Sequence, residues 1–427
     1  MLPDSRMINW LEKAVIYEVN IRQYTPEGTF EAFETHLPRL KNLGVDILWF
    51  MPIHPISEKK RNGTLGSYYA VQDYKKVNPE FGTMNDFKRL VDKAHEMGFK
   101  VILDLVANHT GWDHKWIEEK PHWYQCDSNG EIIHPQEFHW PDVAQLNFED
   151  NDMRSEMINV MKYWVAEVNV DGYRADYANG VPVDFWETAR KELDKIKPVF
   201  MLAEDDKMYE LLEKAFNCNY GWQLTHILKD IANGKKSAQD IKNYLADVEE
   251  IYPEGTYPMH FITNHDMNSG NTTFELYGES EKTMAVLTFT LPGIPLIYSG
   301  EEAGLNKRLE FFVKDTIDWS DLSMQSFYTK LIHMKKENQA LWNGNSGGTV
   351  IFLESGNEQI LAFEREKGAN KLLVIMNLSA ADASTTLTTS SSDGSYQCYF
   401  SESKFDWGQN QMIELKPWEF LILVQSG

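Results

Sequence analysis

Cysteine is scarce in this chain. Three stand in 427 residues, Cys126, Cys218 and Cys398, far apart and odd in number. They offer neither a disulfide framework nor the paired spacing of a zinc site. Basic residues are also in deficit: 41 Lys and Arg face 64 Asp and Glu, a net charge of −23. Such a surface repels nucleic acid and anionic membranes, so neither is expected as a partner. No apolar run approaches the roughly 18 residues of a membrane span. The opening residues, Met-Leu-Pro-Asp-Ser-Arg-Met, lack the charged-then-apolar layout of a secretory leader. As it stands the chain is expected in the cytoplasm; a periplasmic or secreted location requires a leader already removed.

Aromatic residues, by contrast, are plentiful. They make up 13% of the chain, with 13 Trp and 19 Tyr. Part of that excess packs a core; the rest suits a surface that stacks on flat apolar faces. The length exceeds one ordinary core and predicts a large domain plus a smaller one.

Residues 14–21 (AVIYEVNI) have the composition of a strand, and Phe30, Phe33, Leu37, Leu40 and Leu43 mark a helix over 30–43 that stops at Gly44. Residues 45–51 form the next strand, closed by Pro52. A long loop (52–83) follows, then a helix over 84–97 and a third strand over 100–106. Residues 108–150 show no helical pattern and carry Trp112, Trp116, Trp123 and Trp140. A loop that long inside a compact domain is usually functional, here as a short excursion roofing a site. Alternation resumes with helices over 152–168, 183–196, 206–214, 222–250, 280–291 and 323–338. Strands are expected over 170–176, 198–203, 215–218, 258–263 and 294–298. About eight strand–helix pairs predict a parallel (β/α)8 barrel built from 1–107 and 151–343. From 344 to 427 the texture turns to short β-rich runs between Gly, Ser, Asn and Asp, which predicts an antiparallel β-sandwich domain; a Ser/Thr-rich spacer spans 379–395.

Barrel enzymes carry their chemistry at the carboxyl ends of the strands. Asp176, Glu204 and Asp266 each stand at such an end, and a fourth strand runs into Asp104-Leu105-Val106-Ala107-Asn108-His109. Arg174 and Asp176 share one side of their strand, and the cation favours an ionised Asp176. By itself that pair reads as a structural ion pair. Several carboxyls converging on one mouth, however, repel one another and push one of them up. A raised carboxyl serves as a general acid and a salt-bridged one as a nucleophile. With the two about 5–5.5 Å apart, that pairing is what a retaining glycoside hydrolysis requires. Glu204, on an apolar strand with no cation shortly before it, is the better acid; Asp205 and Asp206 directly after it argue for more solvent.

The chain at this point resembles the α-amylase superfamily of retaining glycosidases. The motifs stand in the family's order: YYAVQDY (68–74), DLVANH (104–109), GYRADYA (172–178), MLAED ending past Glu204, ITNHD (262–266) and GIPLIYSGEEAGL (293–305). The resemblance covers roughly residues 10–340, and a trailing β-domain fits the same family. It implies Asp176 as nucleophile, Glu204 as acid/base and Asp266 as the carboxylate that helps distort the bound sugar. It implies that His109 and His265 bind the sugar's hydroxyls, that Tyr69 stacks beneath it, and that Arg174, held by Asp104, orients the nucleophile. The implied substrate is an α-1,4-glucan, starch or maltodextrin. A glucanotransferase with the same residues is the alternative; a non-catalytic glycan-binding module is disfavoured because all three carboxyls are present.

The chain departs from the pattern where many α-amylases carry Lys-His, three and four residues after the nucleophile. Asn179 and Gly180 stand there instead. The His normally contributes to a calcium site shared with Asn108, so a tightly bound structural calcium is not expected, and the chemistry itself needs no cofactor and no metal.

Overall fold

The computed structural model describes residues 8–387, 394–408 and 410–425. Eight parallel strands close a barrel: β1 (Ile16–Val19), β2 (Ile47–Phe50), β3 (Lys100–Leu105), β4 (Gly172–Ala175), β5 (Phe200–Ala203), β6 (Cys218–Tyr220), β7 (Tyr257–His260) and β8 (Ile294–Tyr298), with β8 paired to β1. Every barrel strand except the first residue of β3 is buried throughout. That is why these strands read as continuous apolar runs rather than as alternating ones. Alternation still governs direction. Ile16, Ile47, Trp49, Ile102, Phe200 and Leu202 fill the barrel interior, while Leu48, Phe50, Val101, Leu103 and Met201 meet the surrounding helices. Period two then sends Glu18, Asp104, Arg174 and Glu204 inward at the carboxyl ends. Gly172 belongs to this interior as well: a Cβ there would lie 1.9 Å from the Phe200 carbonyl oxygen, so only glycine lets β4 and β5 approach.

The helices mostly fall where the periodicity puts them, with three exceptions, of which the first is 206–214, helical only over Glu210–Lys214. The helix expected over 30–43 is two, Phe30–Glu34 and Leu37–Leu43, because Pro38 supplies no N–H to an unbroken helix and instead opens the second. The stretch 222–250 is likewise two, Trp222–Ala232 and Ala238–Ile251, the second started by a reciprocal Ser237–Asp240 cap.

The excursion between β3 and β4 is more structured than its sequence indicated. His109–Gly111 pairs antiparallel with Val143–Gln145, and a one-turn helix spans Lys115–Glu119, capped by His114 and followed by a turn at Pro121. Trp112, Trp116 and Trp123 are buried in it, so three of its four tryptophans are packing.

The carboxyl-terminal part is a β-sandwich. A six-stranded antiparallel sheet orders Thr349–Phe352, Ile360–Lys367, Asn370–Asn377, Phe420–Gln425, Gly394–Cys398 and Lys404–Trp407, and a two-stranded sheet pairs Ala383–Leu387 with Gln411–Leu415. Part of the Ser/Thr-rich spacer is therefore a strand: Ala383, Thr385 and Leu387 face inward while Ser384 and Thr386 are exposed. Residues 388–393 of that spacer lie outside the described residues. Buried Arg365 ties the sandwich to the barrel, donating from Nη1 to the Thr290 carbonyl at 2.8 Å. Among the described residues, no helix is long and apolar enough to cross a membrane.

Candidate active site

Arg174 is the centre of the barrel mouth. It is completely buried. The β3–β4 register sets Asp104 opposite Arg174, and their side chains meet at 2.9 Å, Oδ1 to Nη1. The same Nη1 lies 2.9 Å from Asp176 Oδ1, and Nη2 lies 2.8 Å from Glu204 Oε1. Nε donates to the Tyr220 hydroxyl oxygen at 3.0 Å. One cation thus serves three carboxylates. No cation precedes Glu204 closely on its own strand, yet one reaches it from the neighbouring strand. Arg174, expected to orient the nucleophile and grouped with the substrate-binding residues, is sealed beneath the carboxyls and reaches a ligand only through them.

Glu204 is also held from the other side. The Tyr177 N–H donates to its Oε2 at 2.7 Å. Tyr177 follows Asp176 with φ 43° and ψ 54°, a left-handed conformation that costs a residue with a Cβ about 1 kcal/mol or more. The Glu204 side chain keeps 21% of its surface exposed. Asp205 does not add to that exposure. It turns aside and accepts from the N–H groups of Lys207 (2.8 Å) and Met208 (2.6 Å).

Burial pushes the Glu204 carboxyl well above its ordinary value; Arg174 opposes this, while Asp176 and Asp266 add repulsion. Burial pushes Asp104 up too, against Arg174. Asp104, however, also accepts from Trp49 Nε1 at 3.3 Å and from the Tyr69 hydroxyl at 3.1 Å, both on Oδ2. Three donors favour its anion, so the proton retained by the cluster belongs on Glu204.

Above these groups opens a cavity of about 580 Å³. Tyr69, His109, Asp176, Glu204, His265 and Asp266 all line it. Of the seven residues singled out from the sequence, only Arg174 lies beneath the surface. His109 is buried beside Trp140, ring centres 5.7 Å apart, and burial lowers its pKa, keeping it neutral. Tyr69 stacks on Phe311 (6.3 Å, 11° between planes) and on His265 (5.6 Å). A second aromatic wall is formed where Phe138 stacks on Trp140 at 4.7 Å and Tyr177 meets both edge-on. The cavity thus has an acidic floor and two aromatic walls.

The calcium position near Asn108 does not fit a metal ion. Gln145 Nε2 donates to the Asn108 carbonyl and to Asn108 Oδ1, both at 3.0 Å, and to the Leu146 carbonyl at 3.2 Å. Calcium gathers six to eight oxygens at about 2.3–2.6 Å; here three oxygens converge on an amide nitrogen instead. The space by Gly180 is filled by the Tyr177 ring, which a Cβ would meet at 2.3 Å. Among the described residues, no group of three His, Cys, Asp or Glu is arranged to hold a metal.

The family model described as the α-amylase catalytic domain matches residues 12–131 and 134–349. The chain belongs to the α-amylase family of glycoside hydrolases. Its sandwich fits the same assignment, since the model of the maltogenic amylase C-terminal domain matches residues 350–422. Among relatives within the family, "Alpha-amylase 3" of Dictyoglomus thermophilum is 28% identical over 444 residues, covering 86% of this chain and 85% of its own length. The maltogenic α-amylase of Bacillus acidopullulyticus is 26% identical over 422 residues, covering 93% of this chain and 70% of its own. A crystal structure of a maltogenic α-amylase from Thermotoga neapolitana matches with TM-score 0.88 and 30% identity over 97% of this chain and 99% of that one.

Several contributors to this α-amylase-type site were not singled out from the sequence: Glu18, Trp49, Tyr177, Tyr220, Gln145 and Phe311. Glu18 carried a signal, being the one charge within the apolar run AVIYEVNI. The others became visible only once strands and loops were brought together.

Proposed function

We propose that this enzyme hydrolyses α-1,4-glucosidic bonds in starch or maltodextrins with retention of configuration. Asp176 attacks the anomeric carbon while Glu204, protonated, gives its proton to the departing oxygen. A covalent glycosyl–Asp176 intermediate forms, and water, deprotonated by the now ionised Glu204, releases it. Asp266, half-exposed at the cavity edge, faces the positive charge that develops on the sugar ring. His109 and His265 bind hydroxyls of the same sugar, and Tyr69 supports its face. Arg174 holds Asp176 in place from below. The reaction needs no metal.

The observation that carries this proposal is the single guanidinium spanning Asp176 and Glu204. It ties both carboxyls to one guanidinium, at 2.9 and 2.8 Å, and carboxyls held that close leave little room for a water between them, which favours a covalent intermediate. The two aromatic walls suit the apolar faces of successive glucose units, and the relatives named maltogenic α-amylase support this substrate class. The test is chromatography of the products of maltoheptaose over time, with and without excess glucose, with the anomer of the first product read by proton NMR. Shorter maltodextrins born as α-anomers and unaffected by glucose are expected. Products longer than the substrate would make it a glucanotransferase, and β-anomers would overturn the covalent route.

A further inference from the structure

Glu18 lies at the carboxyl end of β1, fully buried, and its Oε1 stands 2.5 Å from His265 Nδ1. Its Oε2 makes no hydrogen bond. A buried carboxylate with a single partner is costly unless that partner offsets its charge. The other side of the imidazole is equally constrained. His265 Nε2 stands 2.8 Å from the Tyr69 hydroxyl oxygen, and Tyr69 gives its own proton to Asp104, which is already fixed on Arg174. The Tyr69 oxygen therefore accepts from His265. Both imidazole nitrogens face acceptors, so both carry hydrogen. Asp266 Oδ1, 3.3 Å from Nε2, adds a further acceptor on the cavity side.

We propose that Glu18 is a positioning residue for the reaction, one that fixes His265 as an imidazolium whose second N–H, held on the cavity side between Tyr69 and Asp266, is shared with the sugar when it binds. This rests on the cavity being the glucan site. The groups that face the ring from all sides are the carboxylates of Glu18, Asp266 and Asp104, the Arg174 guanidinium, and the Tyr69 hydroxyl. Burial and Arg174 disfavour the charged ring; Asp266 and Glu18 outweigh them and lift it from 6.5 to about 9. An imidazolium donates a stronger hydrogen bond than a neutral ring, and one whose Nδ1–H is held from behind keeps its Nε2–H aimed at the cavity.

Glu18→Gln tests this, since the amide oxygen still accepts from Nδ1 while the charge is gone. In the full-length protein with 15N-labelled histidine, the His265 ring, assigned by its absence in His265→Gln, should titrate about one to three pH units lower in Glu18→Gln than in the parent. The ratio of variant to parent kcat/KM on maltoheptaose should stay near one at pH 5.5 and fall about tenfold by pH 8, where only the parent ring remains charged. Glu18→Asp keeps the charge and should hold that ratio flat with pH. An unchanged His265 titration in Glu18→Gln would overturn the proposal, as would a ratio lowered equally at both pH values, the mark of a merely structural defect. If Glu18→Gln does not fold, the ring titration is read in Glu18→Asp, where a fall of a unit or more would also overturn it. The ring titration is independent of turnover, so a parent without activity on maltoheptaose would sink the proposed substrate while leaving the Glu18–His265 pair measurable.

Discussion

Replacing either Asp176 or Glu204 removes one of three carboxyls from Arg174, and the cation keeps the other two. Asp176→Asn and Glu204→Gln are therefore expected to fold with nearly unchanged melting temperature while turnover drops about 10³-fold or more. Calorimetry beside a reducing-sugar assay checks both halves, and unchanged rates would remove these residues from the chemistry. The pH dependence follows from the same surroundings. The acid must be protonated to act, and burial raises Glu204 above the ordinary carboxyl range. Activity is thus held below that raised value and lost as pH climbs through it. Glu204→Gln, rescued with a substrate whose leaving group needs no proton, should lose this alkaline limb. The strand-end carboxyls were legible in the sequence because each closes an apolar strand. Their electrostatics were less so: the Arg174–Glu204 contact joins adjacent strands, and the Glu18–His265 contact joins β1 to the segment that follows β7, 247 positions apart.

At the scale of elements, long periodic or wholly apolar segments were readable and short ones were not. The helix Met84–Glu96 was plain from its apolar face and has Thr83 and Asp86 as a reciprocal cap. The one-turn helix at Lys115–Glu119 has too few residues to be stable alone and exists because Trp116 packs against Trp123 at 5.0 Å. The strand Ala383–Leu387 hides in a polar spacer because only alternate residues face the sandwich core. The excursion's attachment to the barrel also supports a prediction. Gln145 satisfies three oxygens around Asn108, so Gln145→Ala should destabilise the protein by about 1–3 kcal/mol in urea unfolding. A chelator, by contrast, should leave melting temperature and turnover of the parent unchanged. A loss of either, restored by calcium, would show that a cation binds after all.

Across the whole molecule, the barrel is joined by the pairing of its first and last strands, Ile16 with Leu296 and Glu18 with Tyr298. The joint lies next to the residues that hold His265. The carboxyl groups of the floor are all synthesised by residue 266, yet the wall that organises them is not complete until β8 emerges. A nascent chain stalled before Ile294 would expose the apolar interior of an open sheet, with Asp176 and Glu204 already in sequence and no site to belong to. Contacts of such long range make folding slow and leave that sheet edge vulnerable to sticking on the way. Biogenesis of this enzyme thus depends on its last strand arriving promptly, and catalytic competence should appear abruptly with barrel closure rather than grow with chain length.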